Sequence, residues 1–238
     1  RKGRSDRIPA LLMTPRAAAP PGHAVLLVHP EGTARIAADH GRRLDPVAAK
    51  LLKSGCTVLS IDCFGTGDAP GYADETPPHF TTYNRTDIAN RVQDILTSLA
   101  YLSSRPDAGA TALVGLGEAG LWCMLARGLA PDVAACAADV TKLDLSDDEA
   151  VAGRLFVPLL RKAGDLRTAA ALAAPGPLFV HNTGDGSPTS WLTRLYSAAG
   201  SRAGLKLSRS KASAADISQF IIQHLTAPRR QRRARRGA

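Results

Sequence analysis

Short uninterrupted apolar runs alternate with amphipathic stripes along almost the whole chain. His23–His29 (His-Ala-Val-Leu-Leu-Val-His), Thr57–Cys63, Ala110–Val114, Val133–Val140, Gly176–Thr183 and Gly204–Ser208 each read as a strand, the first of the kind covered on both faces. Ile8–Thr14 is a further strand, closed by Pro15 and an Ala/Pro-rich turn that runs to Gly22. Helices fall between them. Asp45–Lys53 ends at Ser54-Gly55, because glycine suits a left-handed C-cap. Residues 86–103 carry Ile88, Val92, Ile95, Leu96, Leu99 and Leu102 on one stripe. Leu121–Arg127 opens a third helix, and Ser190–Ala199 and Ala214–Leu225 are two more. Phe64–Thr82 reads as a Gly/Pro/Asp-rich loop and Thr141–Ala163 as a polar excursion with short helices.

Strands separated by helices predict right-handed β-α-β units. The expected fold class is α/β: a doubly wound, mostly parallel sheet between two helical layers. Ligands of such sheets sit beyond the carboxyl ends of the strands. The informative positions are therefore His29–Gly32, Asp62–Asp68, Gly115–Gly120, Asp139 and His181–Gly186.

Composition narrows the picture. At 238 residues and 45% apolar, the chain is long enough for one substantial core, so residues 1–227 are expected to form one domain. No apolar run approaches the roughly 18 residues of a membrane span, and no membrane partner is expected. The net charge of +9 lies wholly at the two ends: residues 1–7 carry +3 and residues 228–238, with six arginines and no acid, carry +6. The body is neutral and poor in aromatics, so specific nucleic-acid binding is not expected, and 228–238 reads as a disordered basic tail. Cys56, Cys63, Cys123 and Cys136 lie in apolar segments without metal spacing, which predicts reduced core thiols and no metal site. The chain begins at Arg1, not Met, as a fragment or processed product of a longer protein would. Its compartment is left open by these features.

The densest signal is Gly115-Leu116-Gly117-Glu118-Ala119-Gly120, between a strand and a helix. As G-x-G-x-x-G it matches the dinucleotide fingerprint, with Asp139 placed 22 residues after Gly117 for a ribose hydroxyl. A fingerprint strand, however, usually opens its domain, whereas three strands precede this one.

Order along the chain supplies the other reading. A strand ending His29-Pro30-Glu31-Gly32 is followed by one ending Asp62-Cys63-Phe64-Gly65-Thr66-Gly67-Asp68. Tyr83-Asn84-Arg85 then leads into Arg91-Val92-Gln93-Asp94-Ile95, and next comes the glycine turn. With Ile8-Pro9-Ala10-Leu11-Leu12 and Ala174-Pro175-Gly176-Pro177-Leu178, this resembles the α/β-hydrolase superfamily. The similarity is greatest to its acetyl-xylan-esterase-like and dienelactone-hydrolase-like bacterial branch, and it extends from Ile8 to Leu225.

The resemblance implies an esterase acting on acyl esters such as acetylated carbohydrates, with no cofactor. It implies oxyanion donors at the backbone N–H of Glu31 or Gly32 and of Glu118, and Asp185 as the triad acid. The nucleophile's place falls on Gly117, which has no side chain, and the loop Ser208–Ser213, where the base belongs, has no histidine. A Ser-His-Asp mechanism is thus not available. Glu118 could serve only as an unconventional nucleophile, and its plain reading is an acid in the first turn of a helix. His29 and His181 are pocket candidates whose plain reading is structural, and Asp62, Asp68 and Asp139 read as loop-fixing acids. Three functions follow in order: an impaired esterase-like domain, a non-catalytic ligand-binding or structural domain of a larger protein, and a dinucleotide module. The expected partners are a small acyl-ester or carbohydrate ligand and other domains of the same polypeptide.

Overall fold

The computed structural model describes residues 7–15, 22–69, 71, 78–185 and 189–227. The Arg-rich tail, the turn through residues 16–21, most of residues 70–77 and Gly186 lie outside the described residues. Seven strands form one sheet: β1 (Ala10–Met13), β2 (Gly22–Val28), β3 (Thr57–Ile61), β4 (Ala108–Gly115), β5 (Cys136–Asp139), β6 (Leu178–His181) and β7 (Leu205–Leu207). Their order is β1-β3-β2-β4-β5-β6-β7. Only β1 is antiparallel to its neighbour; the other five pairings are parallel. The α/β, mostly parallel expectation is met.

The strands are apolar on both faces because both are covered. Along β2, Val25 and Leu27 face one layer while Leu26 and Val28 face the other, and all four are fully buried. Helices α1 (Pro46–Lys53) and α7 (Ala214–Thr226) cover the first face through Val47, Leu51, Ile217 and Ile221. Helices α2 (Asp87–Ser104), α3 (Ala119–Leu129), α4 (Asp148–Leu155), α5 (Asp165–Ala173) and α6 (Ser190–Ala198) pack on the second. Each fully buried Leu, Ile or Val contributes about 1.5–3 kcal/mol of transfer free energy.

Local chemistry sets the ends of these helices. The Asp45, Thr86, Asp147 and Ser213 side chains accept N–H groups in the first turns of α1, α2, α4 and α7. Gly55, at φ +83°, closes α1 as expected.

Helix α5 was not expected from the pattern. Its buried stripe is Leu166, Ala169, Ala170 and Ala173, too small to stand out as hydrophobic periodicity. Small residues are needed there: a methyl group on Gly128 of α3 would lie 2.9 Å from the Ala169 backbone. The one-turn helices Thr33–Ile36, Ala38–Gly41 and Phe80–Tyr83 and the two-residue strand Arg43–Leu44 also went unmarked, being shorter than any period that could reveal them.

Candidate functional site

In register, Val28 lies beside Gly115, Gly115 beside Ala138, and Asp139 beside His181. The loops after β2, β4, β5 and β6 therefore share one end of the sheet. The chain winds from β2 outward to β3 and returns on the far side of β2 as β4, so the crevice lies between the His29–Gly32 loop and the glycine turn.

The glycine turn is a sharp elbow. Leu116 N–H donates to Val28 O at 2.9 Å, Gly117 turns at φ +54°, and Glu118 is already helical at φ −58° and ψ −25°. Its three glycines serve different ends. A methyl group on Gly120 would lie 2.0 Å from Asp139 O, and one on Gly115 would lie 2.5 Å from the Gly120 Cα. Both are there so that α3 can press onto β4 and β5. At Gly117 the same methyl group would meet only Pro30, at 3.4 and 3.6 Å, an ordinary contact. Position 117 thus has room for a side chain, and only its positive φ favours glycine.

Across the crevice, the His29–Gly32 loop is held from within and from behind. Glu31 N–H donates to His29 Nδ1 at 3.1 Å, and Gly32 N–H donates to His29 O at 3.0 Å. Both N–H groups of this loop that were expected to serve an oxyanion are therefore engaged by His29. Burial of the half-buried His29 ring holds its pKa below the usual histidine value. Asp62, 1% exposed, accepts Thr33 N–H at 2.5 Å and Asp68 N–H at 2.9 Å, tying this loop to the one after β3. Asp62 fixes its loop from both sides, reaching Thr33 across 29 residues, while Asp68 contributes its backbone N–H.

The acids and histidines on the other side are occupied as follows. Asp139, 1% exposed, accepts Thr141 N–H at 2.9 Å and the Asn182 amide at 2.8 Å, in keeping with its plain reading. His181 is fully buried, its Nδ1 accepting Ala212 N–H at 3.3 Å and its ring 5.3 Å from that of Phe179. Burial holds its pKa below the usual histidine value. Asp185 is 89% exposed, and its carboxylate faces Arg209 Nη1 at 3.4 Å. An arginine of the base loop thus faces the carboxylate that a histidine would need. The loop is joined to β6 by Asn182 N–H to Ser210 O and Gly184 N–H to Arg209 O. All four cysteines are buried thiols without disulfides, and burial raises the Cys136 thiol to about 12. Among the described residues no three His, Cys, Asp or Glu side chains are placed to hold a metal ion.

Glu118 is paired with Arg154. Its carboxylate accepts Arg154 Nε at 2.9 Å, and Arg154 also donates to Thr141 Oγ1 and Thr141 O. Beside this pair opens a cleft of about 290 Å³, lined by Asp87, Arg91, Glu118, Trp122, Arg154 and Phe156 among others. The Arg91 guanidinium lies 4.6 Å above the Trp122 ring and its Nε donates to Phe64 O at 3.0 Å. Trp122 is 3% exposed and yet is among the residues lining the cleft. Sequence reading singled out Glu118 but not Arg154, Phe156 or Asp87. Arg154 and Phe156 sit in the polar excursion, where no motif marked them; the Asp87/Arg91 spacing of four on one helix was the signal available.

These features define an α/β-hydrolase-type fold, with a strand-elbow-helix at the fourth strand and the His-Pro loop facing it. Solved structures agree. A Bacteroides fragilis protein assigned as an acetyl xylan esterase superposes with a TM-score of 0.67 at 14% identity, over 83% of this chain and 61% of that one. Est1E from Butyrivibrio proteoclasticus, solved with ferulic acid bound, gives 0.60 at 12% identity over 92% and 96% of the two chains. A glucuronoyl esterase from Solibacter usitatus gives 0.62 at 15% over 92% and 77%. This chain spans about three fifths of the Bacteroides protein. No protein-family model matches the chain, and no curated protein matches it. No helix among the described residues is long and apolar enough to cross a membrane.

Proposed function

We propose that this chain is an esterase-fold domain that binds a small acyl-ester or carbohydrate ligand without the serine mechanism. The observation that carries this reading is Gly117. The elbow keeps its positive φ and its open space beneath Pro30, while the seat holds no hydroxyl or thiol. The rest of the machinery is missing in the same sense. The base loop Ser208–Ser213 has no histidine, and Asp185 faces Arg209 across solvent. Removing triad members from a working serine enzyme leaves about 10³–10⁴-fold acceleration from the oxyanion hole and binding. Here the share of that acceleration from the loop after β2 is not expected, because His29 engages the Glu31 and Gly32 N–H groups.

Two other readings are less well supported. A catalytic Glu118 would have to leave Arg154 and act from one position past the elbow's tip. A dinucleotide would need Asp139 for its ribose, but that carboxylate is buried and already bonded to Thr141 and Asn182.

The test is hydrolysis of p-nitrophenyl acetate by the purified chain. The expected rate equals that of an inert protein of similar size at the same concentration. Saturable turnover lost in Glu118→Gln would replace this proposal with the Glu118 mechanism. Saturable binding of NAD at millimolar concentration would restore the dinucleotide reading.

A further inference from the structure

The sheet divides the molecule's charge between its two ends. Strands β2 to β7 run the same way, so each helical connection returns to the amino end before the next strand begins. The last turns of α1, α2, α3 and α5 therefore lie at the amino end, away from the elbow. So does the end of α7. Its cap, Ser213, follows Ala212, which bonds His181 at the carboxyl end, and its 13 residues span about 20 Å. Among the described residues, Asp107 and Asp132 precede strands and stand at the amino end. The other acids lie in loops after strands or in the first half of a helix. Bases meet solvent at the amino end in Lys50 and Lys53 of α1, Arg105 after α2 and Arg202 before β7. Asp107 already holds Arg105, at 2.6 Å. Residues 228–238, which follow α7 directly, add six arginines and no acid. The same end also presents apolar side chains. Tyr101, Leu129 and Leu172, at the ends of α2, α3 and α5, are 48%, 61% and 56% exposed. The helices of the two leucines adjoin, since a methyl group on Gly128 would lie 2.9 Å from Ala169, one turn before Leu172.

We propose that this amino-end face docks on an anionic lipid surface, with the elbow turned toward solution. Lipid matches both halves of the face. Anionic headgroups attract the bases, and the boundary with the acyl chains takes the leucines and the tyrosine ring. A nucleic acid would match the arginines and leave Leu129 and Leu172 in water. A weak apolar contact and a polybasic segment hold a protein at a bilayer together where neither does so alone. The expectation of no membrane partner rested on the want of a span, which surface contact does not need. The face lies at the opposite end of the molecule from Gly117, so the proposal does not depend on the chemistry read there.

The experiment is co-sedimentation of the full chain with vesicles of about 30% phosphatidylserine in phosphatidylcholine, against phosphatidylcholine alone. Binding is expected to the anionic vesicles only, and it should weaken more than about tenfold between about 0.05 and 0.5 M salt. Removing residues 228–238 should weaken it at least about tenfold, and Lys50→Glu with Lys53→Glu about tenfold. Leu129→Gln with Leu172→Gln, both at exposed positions, should weaken it about fivefold. Arg42→Glu with Arg43→Glu, a reversal of the same size at the carboxyl end, should change it less than about twofold. Circular dichroism checks that each variant is folded. No binding to the anionic vesicles, or equal binding to the uncharged ones, overturns the proposal. So do equal losses in the two charge reversals, which would show no preferred face. Binding that needs residues 228–238 but ignores the two leucines would reduce the face to a polycation and overturn it likewise. A duplex RNA of about 20 base pairs that displaces the vesicles at equal phosphate concentration would assign the face to nucleic acid instead.

Discussion

Gly115, Gly117 and Gly120 look alike in the sequence and differ in what holds them. Ala at 120 would drive a methyl into the Asp139 carbonyl at 2.0 Å, with backbone on both sides. Gly120→Ala is expected to destabilise by more than about 3 kcal/mol, beyond ordinary overpacking. Gly117→Ala meets only Pro30 and should cost about 1–2 kcal/mol, the penalty of a positive φ for an L-residue. Urea denaturation of the two variants measures the difference; equal losses would contradict the assignment of space to one and conformation to the other. Gly117→Ser should fold with a similar small loss and remain inactive by itself. Arg209→His is the natural second change, since Arg209 already reaches Asp185.

The two perturbed histidines give a pH dependence with a definite sign. His29 and His181 both have folded-state pKa values lowered, chiefly by burial. The unfolded chain, with pKa near 6.5, then binds more protons than the folded one. Their contribution is present above about pH 6.5 and lost as pH falls below it. Protonating His181 would also remove the acceptor used by Ala212 N–H. Melting temperature should fall between pH 7.5 and 5.5, and His181→Asn, which keeps an acceptor without a proton to gain, should flatten that fall. An unchanged slope in the variant would show that His181 does not carry it.

Individual elements were legible where their chemistry is strong. Continuous apolar runs gave the six parallel strands, the apolar stripe from Ile88 to Leu102 gave α2, and Gly55 gave the end of α1. Helix α5 was not legible, because alanines chosen for close approach to α3 carry little hydrophobic contrast. The cleft was not legible either. Its arginines and Phe156 come from α2 and from the polar excursion, and only the folded chain brings them beside Glu118. The loop after β2 was legible as a site but not in its support, since nothing local couples Asp62 to Thr33 across 29 residues. Asp62→Ala should therefore free two N–H groups and loosen two loops. The expected cost is about 2–4 kcal/mol for a buried charged acceptor. Faster amide exchange at Thr33 and Asp68 is the specific readout, and exchange unchanged there would argue for mere filling of space.

At the scale of the whole molecule, the fold stands independently of any chemistry at the elbow. Strand order, the helical layers and the elbow are those of an α/β-hydrolase-type fold, and they are stabilised by packing that makes no reference to catalysis. Gly115 and Gly120 seat α3 against β4 and β5 whether or not residue 117 carries a hydroxyl. Sequence reading reached this separation through two empty places, Gly117 and the loop Ser208–Ser213. The structure added what stands around them: His29 across the oxyanion loop, Arg209 against Asp185, and Arg154 on Glu118.

The central claim is that no group of this chain forms a covalent acyl intermediate at the elbow. Quenching the protein after incubation with p-nitrophenyl acetate and weighing the peptide spanning Gly115 to Arg127 tests that directly. The account predicts an unmodified peptide and p-nitrophenol release at the background rate. An acetyl group on that peptide, formed as fast as p-nitrophenol appears, would contradict it.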